Sequence, residues 1–215
     1  MRHSGVSKKQ AGVVCVSIGD GVTARTACLA AYLTSWVTVS VDPALRREWA
    51  GYEPCGVKRL RGVAAPFEEF MTQTDTLAAI ISAASLSTLQ CVRAACAEND
   101  QLVEAPGGRS ACASATVDMA EVKTTARCAH AAASRGGVRH LILLCVHSHH
   151  RFTEAANIEK VQQAFGNPPL TVVALPCCST FNPTKDIGRE PDVVFDDLAV
   201  FSACRHVLVW NAPAL

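Results

Sequence analysis

The amino-acid sequence predicts an α/β fold: a doubly wound, mostly parallel sheet of about seven strands that ends in an antiparallel strand pair. Short, continuous apolar runs at 12–18 and 36–41 flank a helical stretch, and such runs are typical of strands that helices cover on both faces. Near the carboxyl end, the strand patterns 191–195 and 205–210 lie too close together for a crossover helix. They therefore predict an antiparallel pair.

The first half of the chain follows the order strand, glycine turn, helix, strand. A helix is predicted over 23–34, where small and apolar residues can cover one face. Because the flanking strands are expected to be parallel, this helix forms a right-handed crossover. The segment 56–63 predicts a third strand, which is more polar and therefore nearer the edge of the sheet. Pro66 suits the first turn of the next helix.

The second half is predicted to begin with a helical insertion at about 75–135. It comprises two helical patterns, about 75–99 and 116–135, on either side of a loop that contains proline and glycine. The elements predicted after it are a buried strand at 139–146, a helix at 153–165 and a core strand at 170–175. We expect residues 1–11 to form a flexible basic terminus and residues 12–215 to form a single domain.

Composition limits the class of protein and its compartment. Of the 215 residues, 49% are hydrophobic and 18% are charged, which excludes general disorder. No stretch of about 20 unbroken apolar residues predicts a membrane-spanning helix. The formal net charge of +1 excludes a strongly basic nucleic-acid surface as the main source of affinity. The chain has 11 cysteines and no secretory-signal pattern, so we expect an intracellular protein in a reducing compartment, the cytoplasm or an organelle matrix.

Unusual residues follow the predicted strands at the edge where open α/β sheets bind ligands. The triplet Gly19-Asp20-Gly21 leads into a helix, and glycines there allow a tight turn and a close approach of a ligand to the backbone. Any tight strand-to-helix turn favours glycine, so this signal is weak by itself. Asp42 ends the second strand, where an acid can accept hydrogen bonds from ribose hydroxyls. The alternative is that Asp42 caps a following helix, with Pro43 at its first position.

The segment VCVSIGDGVTARTACLAAYL, followed by VTVSVDPAL, resembles the first two motifs of class I S-adenosylmethionine-dependent methyltransferases, which have a Rossmann-like fold. The predicted strand order and the terminal antiparallel pair are similar to that fold as well. The resemblance implies S-adenosylmethionine as the cofactor. It also implies that Gly19 and Gly21 line the cofactor site and that Asp42 holds the ribose. We expect Asp20, an acid between the two glycines, to join the cofactor site.

Histidines and cysteines follow two later strands. His147 and His149 come directly after the strand 139–146, and we expect one of them to act as the base or to contact the substrate. Cys177 and Cys178 follow the next strand. Two histidines and two thiolates can form a tetrahedral zinc site, although adjacent cysteines rarely bind one ion and CxxC spacing is absent. Two further interpretations stay open at this point: a cysteine nucleophile with a histidine base, and loop residues without a chemical role.

The sequence therefore predicts an S-adenosylmethionine-dependent methyltransferase whose substrate is unknown, with RNA and protein as the candidate classes. Two positions depart from the family pattern, because Ser17 stands where an acid is usual and Thr23 where a third glycine is usual. Both favour the alternative, a non-catalytic binding or assembly protein that has the same fold and has lost its cofactor. A local basic cluster is interpreted as a solvated face and consists of Arg46, Arg47, Lys58, Arg59 and Arg61.

Overall fold

A computed structural model describes a mixed sheet with helices on both of its faces. The described residues are 5–101, 137–146, 148, 151–152, 157–176, 182–199 and 205–215, except for the side chains of residues 89 and 91–101. The strands are β1 (Val13–Ile18), β2 (Val37–Val41), β3 (Gly51–Tyr52), β4 (Leu60–Val63), β5 (His140–Val146), β6 (Leu170–Leu175), β7 (Val193–Asp196) and β8 (His206–Ala212). The helices are α1 (Arg25–Leu33), α2 (Phe67–Phe70), α3 (Thr74–Gln101), α4 (Ile158–Ala164) and α5 (Pro183–Ile187), with 3₁₀ turns at Arg47–Trp49 and Pro54–Gly56.

The strand order is β3-β4-β2-β1-β5-β6-β8-β7. The five strands from β4 to β6 in this order run parallel to one another. The last strand, β8, lies between β6 and β7 and is antiparallel to both. The predicted α/β class, the mostly parallel sheet and the antiparallel pair at the carboxyl end are therefore confirmed.

The prediction of seven strands is wrong, because the described sheet has eight. The additional strand is β3, which has only two residues and pairs antiparallel with β4. Two residues are too few to produce an apolar alternation in the sequence. Gly62 of β4 allows the approach of this region, since a Cβ at that position would lie 1.6 Å from the carbonyl oxygen of Trp49.

Helices cover the two faces of the sheet unequally. Alternate residues of β1 point to opposite faces, so Val14 joins a large apolar cluster with side chains of α2, α3 and α4. Cys15, on the other face, joins a much smaller cluster with Ala30 of α1 and Trp36. The Trp36 indole donates a hydrogen bond to the Ser7 carbonyl oxygen at 3.0 Å, which attaches the first described residues to this face.

Two segments extend or revise the predicted elements. The helix α3 covers the first helical pattern of the predicted insertion, whereas the second pattern, 116–135, lies outside the described residues.

Asn182-Pro183 predicts a turn from sequence, but it begins the short helix α5. The Asn182 side chain accepts a hydrogen bond from the Lys185 N–H at 3.2 Å, and the proline occupies the first turn, where its missing N–H leaves no bond unmade.

None of the described helices is both long enough and apolar enough to cross a membrane.

The four cysteines whose side chains are described are free thiols. Cys15 and Cys145 are fully buried, and burial raises the pKa of each thiol to about 12, with the charge of Asp20 adding to the rise at Cys15. Both thiols therefore stay protonated near neutral pH and act as small core residues. Cys28 is half-buried and Cys55 is exposed.

Candidate functional site

A crevice of about 230 Å³ lies at the carboxyl ends of the parallel strands. We call it the carboxyl-edge crevice; its lining residues are Ile18, Gly19, Val41, Pro43, Pro66, Phe67, Glu68 and Ser148. The strand order reverses between β1 and β5, and open α/β sheets bind ligands at the carboxyl edge beside such a reversal. The crevice therefore occupies the position at which this fold class is expected to bind a ligand.

Gly19 is the one predicted cofactor residue that lines the crevice. Its φ of +74° lies in the left-handed region, where a side chain would be strained. A Cβ at this position would also lie 2.8 Å from the Ser148 Oγ. Both the backbone conformation and the space in front of it therefore require glycine here.

Asp42 connects the ends of the first two strands. Its carboxylate is buried, and Oδ2 accepts a hydrogen bond from the Gly21 N–H at 2.8 Å. Oδ1 accepts one from the Ala44 N–H at 2.7 Å, which closes a turn. The structure has no α-helix beginning at Pro43, so the alternative role of Asp42 as a helix cap does not hold. Each carboxylate oxygen retains another lone pair, and the predicted bond to a ribose hydroxyl stays a prediction.

Asp20 turns its carboxylate towards the amino end of α1. Oδ1 accepts a hydrogen bond from the Thr26 N–H at 2.8 Å, and Oδ2 accepts one from the Ala27 N–H at 3.0 Å. The Ser40 hydroxyl donates a third bond to Oδ2 at 3.1 Å. The first N–H groups of a helix need acceptors and favour negative charge, and Ala24 at the N-cap position provides no side-chain acceptor. Asp20 supplies both the acceptor and the charge.

Ser17, the predicted departure from the methyltransferase sequence pattern, is 1% exposed. Its hydroxyl oxygen has no hydrogen-bond partner within the described part of the chain. Ser17 lies beside Ser40 in the sheet register, and Ser40 in turn contacts Asp20. The local carboxylate of this region is therefore provided by Asp20, three positions after Ser17 in the sequence.

Pro66, Phe67 and Glu68 form a wall of the crevice, and none of them is among the site residues predicted from the sequence. These residues follow β4, which pairs with β2 and thus ends at the same edge of the sheet. The available signal was Pro66 directly after a predicted strand, which places a helix start at that edge. Phe67 is buried and packs near Phe70, with ring centroids 6.0 Å apart, so this wall is anchored in the core.

His147, His149, Cys177 and Cys178 lie outside the described residues. Ser148, between the two histidines in sequence, is buried and lines the crevice. Among the residues that the structure describes, no group of three or more His, Cys, Asp or Glu side chains could hold a metal ion.

A larger groove of about 500 Å³ lies away from the predicted site, between α3 and the β4 edge. We call it the α3–β4 groove. Its lining includes Lys58, Arg59 and Arg61 of the predicted basic cluster, together with the apolar Ile80 and Leu86. The Arg59 guanidinium donates hydrogen bonds to the carbonyl oxygens of Ala31 and Thr34 at the carboxyl end of α1, at 2.9 and 3.0 Å. We favour the crevice as the ligand site despite its smaller volume, because the carboxyl ends of the strands converge there.

None of the known protein families, curated proteins or solved structures that were compared with the chain matches it. The assignment of the crevice therefore depends on the geometry of its own residues.

Proposed function

We propose that the chain is a Rossmann-like domain of the class I methyltransferase type, which binds S-adenosylmethionine in the carboxyl-edge crevice and methylates an RNA or a protein. The observation that carries the proposal is the strand order. Without the short edge strand β3, the order is β4-β2-β1-β5-β6-β8-β7, with the last strand inserted antiparallel. This topology is similar to that of class I methyltransferases and supports the resemblance of the two sequence motifs.

The residues of the crevice suit such a ligand in three respects. Gly19 presents bare backbone, and Ile18 and Phe67 provide apolar walls. Asp42 lies between the lining residues Val41 and Pro43 in sequence, and its carboxylate keeps lone pairs for a ribose hydroxyl. The volume of about 230 Å³ is below the roughly 300 Å³ at which ligand pockets usually begin. A bound nucleoside would therefore extend beyond the walls named here.

Bound S-adenosylmethionine supplies an electrophilic methyl group. The task of the chain is then to hold the acceptor atom in line with that group, because alignment is the main contribution that a protein makes to such a transfer. A base is needed only for an acceptor that carries a proton. We assign this role to His147 or His149, which flank the crevice residue Ser148 in sequence.

A second candidate function is a non-catalytic binding or assembly protein with the same fold. The observation that favours it is that the carboxylates of Asp20 and Asp42 are already hydrogen-bonded within the chain. The oxygens of Asp20 and Asp42 already accept backbone N–H bonds, and Ser17 replaces the usual acid. In this alternative the two carboxylates stabilise the turn and have no ligand to bind.

Calorimetric titration with S-adenosylmethionine and S-adenosylhomocysteine separates the two functions. The proposed enzyme binds both ligands with one site per chain. An absence of binding at about 1 mM ligand, corresponding to less than about 4 kcal/mol of binding free energy, would overturn the enzyme and favour the assembly protein. Stoichiometric zinc in the purified protein would instead support the zinc site considered for His147 and Cys177.

A further inference from the structure

The glycine turn and the helix that follows it have the form of a phosphate-binding unit, but several of their N–H donors already have partners within the chain. In such units, the free N–H groups of the turn and of the first helical residues bind the anion. Here the N–H groups of Thr26 and Ala27 donate to Asp20, at 2.8 and 3.0 Å. The Asp20 carboxylate therefore occupies the position at which a phosphate binds in such units.

Two donors of the glycine turn are also engaged within the chain. The Gly21 N–H donates to the Asp42 carboxylate at 2.8 Å, and the Gly19 N–H donates to the Val41 carbonyl oxygen at 2.9 Å. A phosphate would therefore have to displace a carboxylate to reach either the helix or Gly21.

The charge of the crevice also disfavours the binding of a phosphate. Among the described lining residues, Glu68 is the only ionisable one, and no lysine or arginine is present. The partial positive charge at the amino end of α1 is offset by Asp20 itself. A phosphorylated ligand in the crevice would thus meet the carboxylate of Glu68, and the carboxylates of Asp20 and Asp42 belong to residues that adjoin the lining residues Gly19 and Val41 in sequence. A neutral or cationic ligand would not be repelled by this negative charge.

We propose that the carboxyl-edge crevice accepts nucleoside ligands without phosphate and rejects nucleotides and dinucleotides, with Asp20 as the residue that sets this specificity. The inference rests on the proposed function, because it concerns the ligand of that same crevice. It deepens that function by naming the charge class of the ligand: neutral or cationic, as a sulfonium or ammonium group would be.

The test is a calorimetric panel of adenosine, S-adenosylhomocysteine, S-adenosylmethionine, ATP and NAD⁺. We expect the wild-type protein to bind adenosine and the two S-adenosyl compounds at least about tenfold more tightly than ATP or NAD⁺. Asp20→Ala frees two helix N–H groups and removes a charge, so it should raise the affinity for ATP by about tenfold. The matched control is Glu159→Ala, which removes an exposed acid from the first turn of α4 and should leave the ATP affinity unchanged.

Asp20→Asn provides the second variant if Asp20→Ala does not fold, since it keeps a side-chain acceptor while removing the charge. Wild-type binding of ATP or NAD⁺ as tight as that of S-adenosylhomocysteine would overturn phosphate rejection and leave the methyltransferase proposal intact. An unchanged nucleotide preference in a folded Asp20 variant would overturn the role of Asp20. Binding of adenosine without any gain for the S-adenosyl compounds would support phosphate rejection and overturn the methyltransferase proposal. Binding of no panel member would overturn both.

Discussion

The two ends of α1 are each capped by a charged side chain from elsewhere in the chain, but the two caps differ in reach and in surroundings. At the amino end, Asp20 belongs to the turn that leads into the helix and lies next to the crevice residue Gly19 in sequence. At the carboxyl end, Arg59 reaches back from the start of β4 and lines the α3–β4 groove. Negative charge at the amino end and positive charge at the carboxyl end both oppose the helix dipole favourably.

A charged residue near a cavity is therefore not necessarily a residue that contacts a ligand. Both Asp20 and Arg59 satisfy backbone groups that a helix of any sequence leaves open. The two ends of α1 differ in the cavity beside them: the carboxyl-edge crevice includes Gly19, next to Asp20 in sequence, whereas the α3–β4 groove includes Arg59. Changes around the amino end are expected to alter both stability and ligand affinity, whereas changes at the carboxyl end are expected to alter stability alone.

Asp42→Ala should have the largest effect on ligand affinity. It removes the proposed ribose acceptor and leaves the N–H groups of Gly21 and Ala44 without their partner. We expect S-adenosylhomocysteine to bind about 100-fold more weakly, which corresponds to about 2.8 kcal/mol. Calorimetry on folded protein measures this, and an unchanged affinity would refute the ribose assignment.

Arg59→Ala tests the carboxyl end of α1. The carbonyl oxygens of Ala31 and Thr34 lose a charge-assisted donor, so we expect the free energy of unfolding to fall by about 1.5 kcal/mol, with ligand affinity unchanged. Denaturant unfolding measures the loss. The control is Lys58→Ala, an exposed neighbour, which should change stability by less than about 0.5 kcal/mol. A large drop in ligand affinity in Arg59→Ala would contradict the separation of the two ends.

Gly19→Ala and Gly21→Ala form a matched pair at the amino end. Both residues have positive φ, at +74° and +80°, so alanine is strained at each by about 1 kcal/mol. Only Gly19 faces a neighbour, because a Cβ there would lie 2.8 Å from the Ser148 Oγ while one at Gly21 meets nothing within 4 Å. We therefore expect about tenfold weaker S-adenosylhomocysteine binding in Gly19→Ala than in Gly21→Ala. Equal affinities would show that the contact with Ser148 does not shape the site.

Alkaline pH should weaken the fold through Cys15, which lies on the α1 face of the sheet. Burial, and then the charge of Asp20, raise its pKa from 9.0 to about 12. The unfolded thiol loses its proton above pH 9 while the folded thiol keeps it, so the contribution to stability is complete below pH 9 and is lost as the pH rises towards 12. At about pH 10 the loss is about 1.4 kcal/mol for this thiol. Cys15→Ala should reduce the dependence of unfolding free energy on pH between about 8 and 10, and Cys55→Ala, at an exposed position, should not.

Much of the fold could be predicted from the sequence because its central strands are unbroken apolar runs. The residues of β1 and β2 are buried on both faces, and this produces a pattern that no amphipathic helix shares. The strand β3 could not be predicted, because its pairing depends on the absence of a side chain at Gly62, ten positions along the chain from Tyr52. Short elements of this kind are specified by contacts across the sheet.

The candidate site was predictable in position but not in orientation. Gly19 and Asp42 could be placed at adjacent strand ends from spacing alone, and the structure brings both to one edge. The direction of the Asp20 carboxylate could not be read from the sequence, since its partners are the backbone N–H groups of Thr26 and Ala27, which any residue except proline provides. The same holds for Arg59, whose partners are carbonyl oxygens 25 and 28 residues away.

The position of β8 has a consequence for the order in which the chain can fold. This strand is the last in sequence, yet it lies between β6 and β7 and is the described partner of both on that side of the sheet. During synthesis from the amino end, β7 emerges before the strand it must pair with, and β6 keeps an open edge until residues 206–212 arrive. Unpaired edges of this kind attract other strands. A nascent chain of this protein is therefore expected to depend on late docking of one strand, and to be most prone to aggregation just before that step.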